Sequence, residues 1–199
     1  GKIANRVGME MSPCQLVSIA AEAVGTYRGI AEDKGLTMHC ELPDTIPPII
    51  GDARWLKRAI CNLIDNAIKY TPAPGWIKVS VQELAGSVVV TVADSGVGIS
   101  PANRRRIFEK FYRVRRRETL HVQGTGLGLA MVKKIAEQHG GQVTVESELG
   151  AGSVFYLSIP RSRPIADLMD EETPFVSDVS QHTGFFGMPL SDGNALNSR

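Results

Sequence analysis

Asn62-Leu63-Ile64-Asp65-Asn66-Ala67-Ile68-Lys69-Tyr70 carries two periodicities at once. Leu63, Ile64, Ala67 and Ile68 continue a pattern begun by Trp55, Leu56, Ala59 and Ile60, with apolar residues at three- and four-residue steps. That spacing predicts a long helix with one buried stripe. Asn62, Asn66 and Lys69 stand at i, i+4 and i+7, so they share one edge beside the stripe. Asp52 has the residue type and position of an N-cap, and Thr71-Pro72-Ala73-Pro74-Gly75 ends the helix. An amide oxygen is a hard neutral ligand of the kind Mg2+ accepts, and a lysine one turn on is placed for phosphate. Equally, Asp65 and Lys69 read as an ordinary i, i+4 ion pair on a solvated edge. This segment alone does not choose between the two.

Working outward, Leu16, Ile19, Ala20, Ala23, Val24, Tyr27 and Ile30 give helical spacing over residues 15–34. Gly35 stops that helix, residues 36–42 alternate as a strand, and Pro43, Pro47 and Pro48 mark a turn region. Beyond the central helix, residues 77–81 and 88–93 read as a hairpin joined around Ala85-Gly86-Ser87. A second helix is predicted over residues 126–138, closed by His139-Gly140-Gly141. Residues 142–147 and 153–159 make a last hairpin. Helices mixed with hairpins predict an α+β fold, a two-layer sandwich of a mixed β-sheet with helices on one face. After Pro160 the composition shifts to Asp, Ser, Pro and Gly, so residues 161–199 read as a flexible tail. Its acids Asp167, Asp170, Glu171 and Glu172 could meet a basic surface.

The chain has 199 residues, 43% of them hydrophobic, and a formal net charge of +1. That suits one domain with a real core and gives no global attraction to nucleic acid. Cys14, Cys40 and Cys61 have neither zinc spacing nor a disulfide framework, which fits reduced thiols in the cytoplasm. No apolar run is long enough to span a membrane. The chain opens at Gly1 in mid-element sequence and reads as part of something longer, whose remainder could carry a membrane anchor.

Two more segments carry chemistry. Asp94-Ser95-Gly96-Val97-Gly98-Ile99 follows a strand; a carboxylate there can accept from an exocyclic amine, and glycines let backbone approach a flat ring, although in isolation the string reads more often as a simple turn. Gly124-Thr125-Gly126-Leu127-Gly128-Leu129 opens a helix and is an anion site, because free N–H groups and the dipole face outward. It is neither a P-loop nor a Rossmann loop. Between them, residues 104–117 hold seven arginines and one lysine against Glu109. By itself such a run reads as a solvated face or, less often, a nucleic-acid patch; placed between a base site and a phosphate site, it also reads as a mobile cationic lid.

In order and spacing these segments resemble the N, G1, F and G2 boxes of sensor histidine kinases, members of the GHKL superfamily with the Bergerat ATP-binding fold. The resemblance covers roughly residues 7–160. It implies Asn66 as the Mg2+ ligand, with Asn62, Lys69 and Tyr70 near the phosphates of ATP. It implies Asp94 on the adenine amine, with Gly96, Gly98 and Ile99 beside the base. It also implies triphosphate contacts from Gly124, Thr125, Gly126, Leu127, Gly128 and Leu129 and a lid over residues 99–123. Catalytic roles would fall to Asn62, Lys69 and the lid's Arg113.

The ATP-hydrolysing members of the superfamily (gyrase B, the MutL proteins, heat-shock chaperones) carry a glutamate four residues before the box asparagine, as general base. Here that position is Asn62, which disfavours a hydrolytic clamp and the serine-kinase branches as well. None of the four histidines has the setting of a phosphoacceptor, so the acceptor is expected on a separate dimerisation hairpin whose end could be residues 1–6. The expected reaction is transfer of the γ-phosphoryl of Mg-ATP to that histidine, for relay to a response regulator, in a homodimeric parent. The rival from another class is a degenerate nucleotide sensor that binds ATP without transferring phosphate.

Overall fold

Period-two alternation sets the sheet and period-3.6 stripes set the layer upon it. The computed structural model describes residues 8–114 and 124–161. In chain order the elements are β1 (Ser12–Cys14), α1 (Leu16–Asp33), β2 (Leu36–Glu41), β3 (Ile49–Gly51), α2 (Ala53–Tyr70), β4 (Gly75–Leu84), β5 (Ser87–Asp94), a 3-10 turn (Arg106–Phe108), α3 (Gly128–Gln138), β6 (Gln142–Glu148) and β7 (Gly152–Pro160). Five strands form one sheet in the order β2-β4-β5-β7-β6. β2 and β4 are parallel, with α2 in the crossover, and the other pairs are antiparallel. The sheet is therefore mixed, as expected.

On the inner face Ile77, Val79 and Val81 of β4, Val88, Val90 and Val92 of β5, and Phe155, Leu157 and Ile159 of β7 are buried. They form one core with Leu16, Ala20 and Val24 of α1, the α2 stripe Leu56, Ile60, Leu63, Ile64, Ala67 and Ile68, and Val132 and Ile135 of α3. Alternate positions on the other face, such as Lys78, Ser80, Thr91 and Tyr156, keep partial exposure. The helices thus cover one face only, and the two-layer α+β expectation holds.

Asp52 caps α2, its carboxylate accepting from the N–H groups of Arg54 (3.0 Å) and Trp55 (3.4 Å). The same carboxylate accepts the N–H of Glu10 at 2.8 Å, tying the N-terminal strap to the helix start. Burial pushes the Asp52 carboxyl up, but the Arg54 guanidinium and these N–H groups outweigh it and hold the pKa at about 2. His139 follows the last turn of α3 and is buried; its Nε2 accepts the Asp52 N–H (3.0 Å) and its Nδ1 donates to the Ile135 carbonyl (2.7 Å). Asp52→Ala should lose about 2 kcal/mol, a cap plus one further bond, or roughly 4–8 °C in Tm. Because folding favours the carboxylate, this contribution is fully present above about pH 4 and is lost as pH falls through about 2. Melts of wild type and variant at pH 7 should therefore differ, and the gap should close toward pH 2.

Three features depart most from the sequence expectation. β1 and β3 pair antiparallel as a small separate sheet. Ser12-Pro13-Cys14 has no alternation, and Ile49-Ile50-Gly51 hides behind two prolines. β4 begins at Gly75 and runs to Leu84, because pairing with β2 at its start and with β5 at its end satisfies stretches that carry no hydrophobic alternation. α3 opens at Gly128, since Gly126 has φ +72 and cannot be a first helical residue. The expectations for residues 1–6 and for the tail at 162–199 lie outside the described residues.

Candidate functional site

The polar edge of α2 forms one wall of a cleft. Asn62, Asp65, Asn66, Lys69 and Tyr70 all line it. Opposite stand Asp94 at the end of β5, the Val97–Ile99 turn, the loop of Gly124, Thr125 and Gly126, and Gly128 and Leu129 at the start of α3. Ile107, Tyr112, Arg113 and Val114 close one side, and Ser153 and Phe155 of β7 form the floor. Three segments singled out separately in the sequence thus meet in one place. Gly96 and Leu127 do not line the cleft. A Cβ at Gly96 would stand 2.5 Å from the Tyr70 carbonyl oxygen, so this glycine serves the packing behind the wall.

Gly98 lines the cleft and has a second reason for its side-chain-free backbone. It has φ +67, and a Cβ there would fall 1.8 Å from the carbonyl oxygen of Glu148. This close approach is to the protein's own β6–β7 turn, where the Gly150 N–H also donates to the Val97 carbonyl at 3.0 Å. Gly126 has a similar task. A Cβ there would meet the Phe111 backbone at 2.8 Å, and the Phe111 N–H donates to the Gly126 carbonyl.

Along α2 the two asparagines differ. Asn62 donates to the Arg58 carbonyl at 2.9 Å, and its Oδ1 lies 3.1 Å from where a Gly128 Cβ would be. Among the described residues no hydrogen bond engages the Asn66 amide, so its oxygen is available to a ligand. Lys69 pairs with Asp65 at 2.5 Å. The surface ion pair and the pocket edge, alternatives in the sequence, are both present on the same residues.

Asp94 is 6% exposed, and its Oδ1 accepts the Gly96 N–H at 2.8 Å. Burial pushes its carboxyl up to about 6, against the N–H groups of Gly96 and Ser153, which hold it down. At neutral pH it is a carboxylate with spare acceptor capacity, lining a cleft of mixed polar and apolar character. Ser153, cross-strand from Asp94, shares a 2.9 Å hydroxyl contact with Ser147, which also accepts the Ile99 N–H.

The described part of the lid region, residues 99–114, is anchored more firmly than its arginine-rich sequence suggests. Ile107 is buried and Phe108 packs edge-on to Phe155, ring centroids 6.4 Å apart. Tyr112 donates to Asn103 at 2.8 Å, with the Arg106 guanidinium 4.3 Å above its ring. Arg113 is exposed at the cleft mouth. Residues 115–123 lie outside the described residues. The sequence reading missed Ile107, Tyr112, Ser153 and Phe155 as cleft residues. Ser153 and Phe155 sit one alternation apart on an inward strand face, but only the β5–β7 register brings them beside Asp94.

Fold and cleft together define the class: an α+β domain with its pocket between a polar helix edge and a glycine loop at a helix N-terminus. A family profile described as "Histidine kinase-, DNA gyrase B-, and HSP90-like ATPase" matches residues 51–163, and the chain belongs to that family. Its relatives assign it to the histidine kinase type of ATP-binding domain. Sensor-like histidine kinase SenX3 of Mycolicibacterium smegmatis is 38% identical over 143 residues, 72% of this chain and 37% of that protein. The crystal structure of full-length ShkA in complex with AMPPNP superposes with TM-score 0.68 at 30% identity, covering 79% of this chain and 32% of that one. The catalytic domain of histidine kinase ThkA superposes with TM-score 0.67 at 29% identity, covering 77% of this chain and 97% of that domain. The chain therefore spans under two-fifths of the SenX3 length but matches nearly the whole of an isolated catalytic domain. No helix among the described residues is long and apolar enough to cross a membrane, and the three cysteines are unpaired.

Proposed function

We propose that the cleft binds Mg-ATP and that this chain transfers the γ-phosphoryl group to a histidine on a separate helical hairpin of a homodimeric parent. From there the phosphate would pass to an aspartate of a response regulator. Residues 7–160 would make up the catalytic domain, acting in the cytoplasm. The observation that carries the reading is the convergence of the α2 edge, the Asp94 turn and the 124–129 loop on one cleft.

Each group has a task. Asp94 accepts from the adenine amine in a site floored by Phe155. The N-terminus of α3 and the loop N–H groups meet the triphosphate. Lys69 and Arg113 add charge where it develops in transfer, and Asn62 and Tyr70 bound the phosphate end. Phosphoryl transfer needs positioning and charge stabilisation more than covalent help. The donor set fits Mg2+: Asn66 offers a hard oxygen, and among the described residues no cluster of three His, Cys, Asp or Glu side chains could hold a metal by itself. The ion would therefore enter with the nucleotide, neutralising phosphate charge. Asn62 cannot take a proton from water, which favours transfer over hydrolysis. Of the two described histidines, His139 is buried and doubly hydrogen-bonded and His39 lies on the edge strand β2, and neither lines the cleft.

Incubating the chain with labelled ATP, alone and with a separate histidine hairpin, separates transfer from mere sensing. Acid-labile, base-stable label should appear on the hairpin and almost none on this chain. Binding of ATP without any labelling of the hairpin would favour the nucleotide sensor, and strong self-labelling would contradict the separate acceptor.

A further inference from the structure

Asp65 is the one residue of the α2 edge to which the nucleotide chemistry above gives no task. It lines the cleft beside Asn66 and holds the Lys69 ammonium at 2.5 Å. Both side chains are part-exposed, 33% and 41%, and such a pair adds little to stability. Its consequence is for what enters the cleft. Among the described lining residues, the acids Asp65 and Asp94 face the bases Lys69 and Arg113, so the side chains bring no surplus positive charge. Asp94 stands at the end of β5, among the turn residues. Asp65 stands at the phosphate end, one residue before Asn66 and one turn before Lys69.

We infer that Asp65 makes this site select the Mg2+ complex of the nucleotide over the free nucleotide, by cancelling the charge of Lys69 until a divalent cation accompanies the phosphates. This rests on the phosphate placement proposed above. A bare triphosphate reaching for Lys69 must displace a carboxylate already bound there and then sit beside it, and like charges that close repel even where solvent screens part of the charge. A Mg2+-bearing triphosphate carries two fewer negative charges. Mg2+ also retains waters, whose hydrogens a carboxylate lining the same cleft as Asn66 can accept. One residue thus penalises the wrong form of the substrate and receives the right one.

The test is calorimetric titration of the full chain with ATP, in Mg2+ and in EDTA, for wild type, Asp65→Asn, Asp65→Glu and Lys69→Met. Asp65→Asn should tighten metal-free ATP by about tenfold while Mg-ATP moves by less than about threefold, so the preference for the Mg2+ form shrinks. Asp65→Glu keeps the charge and should keep the wild-type preference. Lys69→Met should weaken both forms. An Asp65→Asn variant whose metal-free affinity is unchanged or weaker overturns the inference, as does an Asp65→Glu variant that behaves like Asp65→Asn. In either case a weakened Lys69→Met leaves the phosphate assignment standing. If Lys69→Met binds both forms as wild type does, the phosphate assignment fails, and the role of Asp65 with it.

Discussion

Asn66→Ala should bind Mg-ATP at least about tenfold more weakly than wild type while its affinity for ATP in EDTA stays the same. The side chain stands on the polar edge of α2, half-buried, with its amide engaged by nothing among the described residues. Removing it therefore breaks no internal bond, and alanine is the best helix former. Melting should be unchanged or slightly raised, so any loss of binding reports the ligand oxygen and not the fold. This signature is the converse of that expected at Asp65, where the metal-free form gains. Two neighbouring residues on one helix edge would then move the same Mg2+ preference from opposite sides. Equal Mg-ATP affinity in wild type and Asn66→Ala would remove Asn66 from the metal site.

Asp94→Asn should cost ten- to a hundredfold in ATP affinity, since a hydrogen bond to a charged acceptor contributes roughly 1.5–3 kcal/mol. It should also alter the pH dependence. In the wild type the carboxyl titrates at about 6, and an amine donor favours the ionised form. ATP affinity should rise as pH climbs through about 6, with a proton released on binding near that value. The Asn variant should lose this dependence. Folding runs the other way: the native pKa lies above the ordinary 3.8, so the buried carboxylate costs stability above about pH 6, and the variant should melt no lower than wild type at pH 7. Titrations between pH 5 and 7.5 in buffers of different ionisation enthalpy measure both effects.

Much of this was legible in the residues. The α2 stripe and its polar edge follow from spacing alone, and the Asp52 cap from residue type and position. The two hairpins show in alternation, although their ends do not. β4 gains Gly75 and Trp76 from pairing with β2 and residues 82–84 from pairing with β5, which no local pattern encodes. β1 and β3 are three residues each and exist because each pairs with the other. In the site, Asp94, Gly98, Gly124, Gly126 and Gly128 were readable as cleft residues, yet the contact of Gly98 with the β6–β7 turn was not, since Glu148 lies fifty residues away in sequence. The lid shows the same limit. Its arginines dominate the sequence, but the residues that anchor it are Ile107, Phe108 and Tyr112, and their partners Phe155 and Asn103 appear only once the chain is folded.

The measurement closest to the central proposal is the base preference of the unmodified chain in the presence of Mg2+. Titrated with ATP and with GTP at pH 7.5, it should bind ATP with a single-site isotherm and GTP much more weakly. Guanine presents a carbonyl where adenine has its amine, and the Asp94 carboxylate repels it. The Asp94→Asn chain, measured alongside, should discriminate less, because its amide can donate to that carbonyl. Equal affinity of the unmodified chain for the two nucleotides, or a base preference that survives in Asp94→Asn, would contradict the adenine site at Asp94.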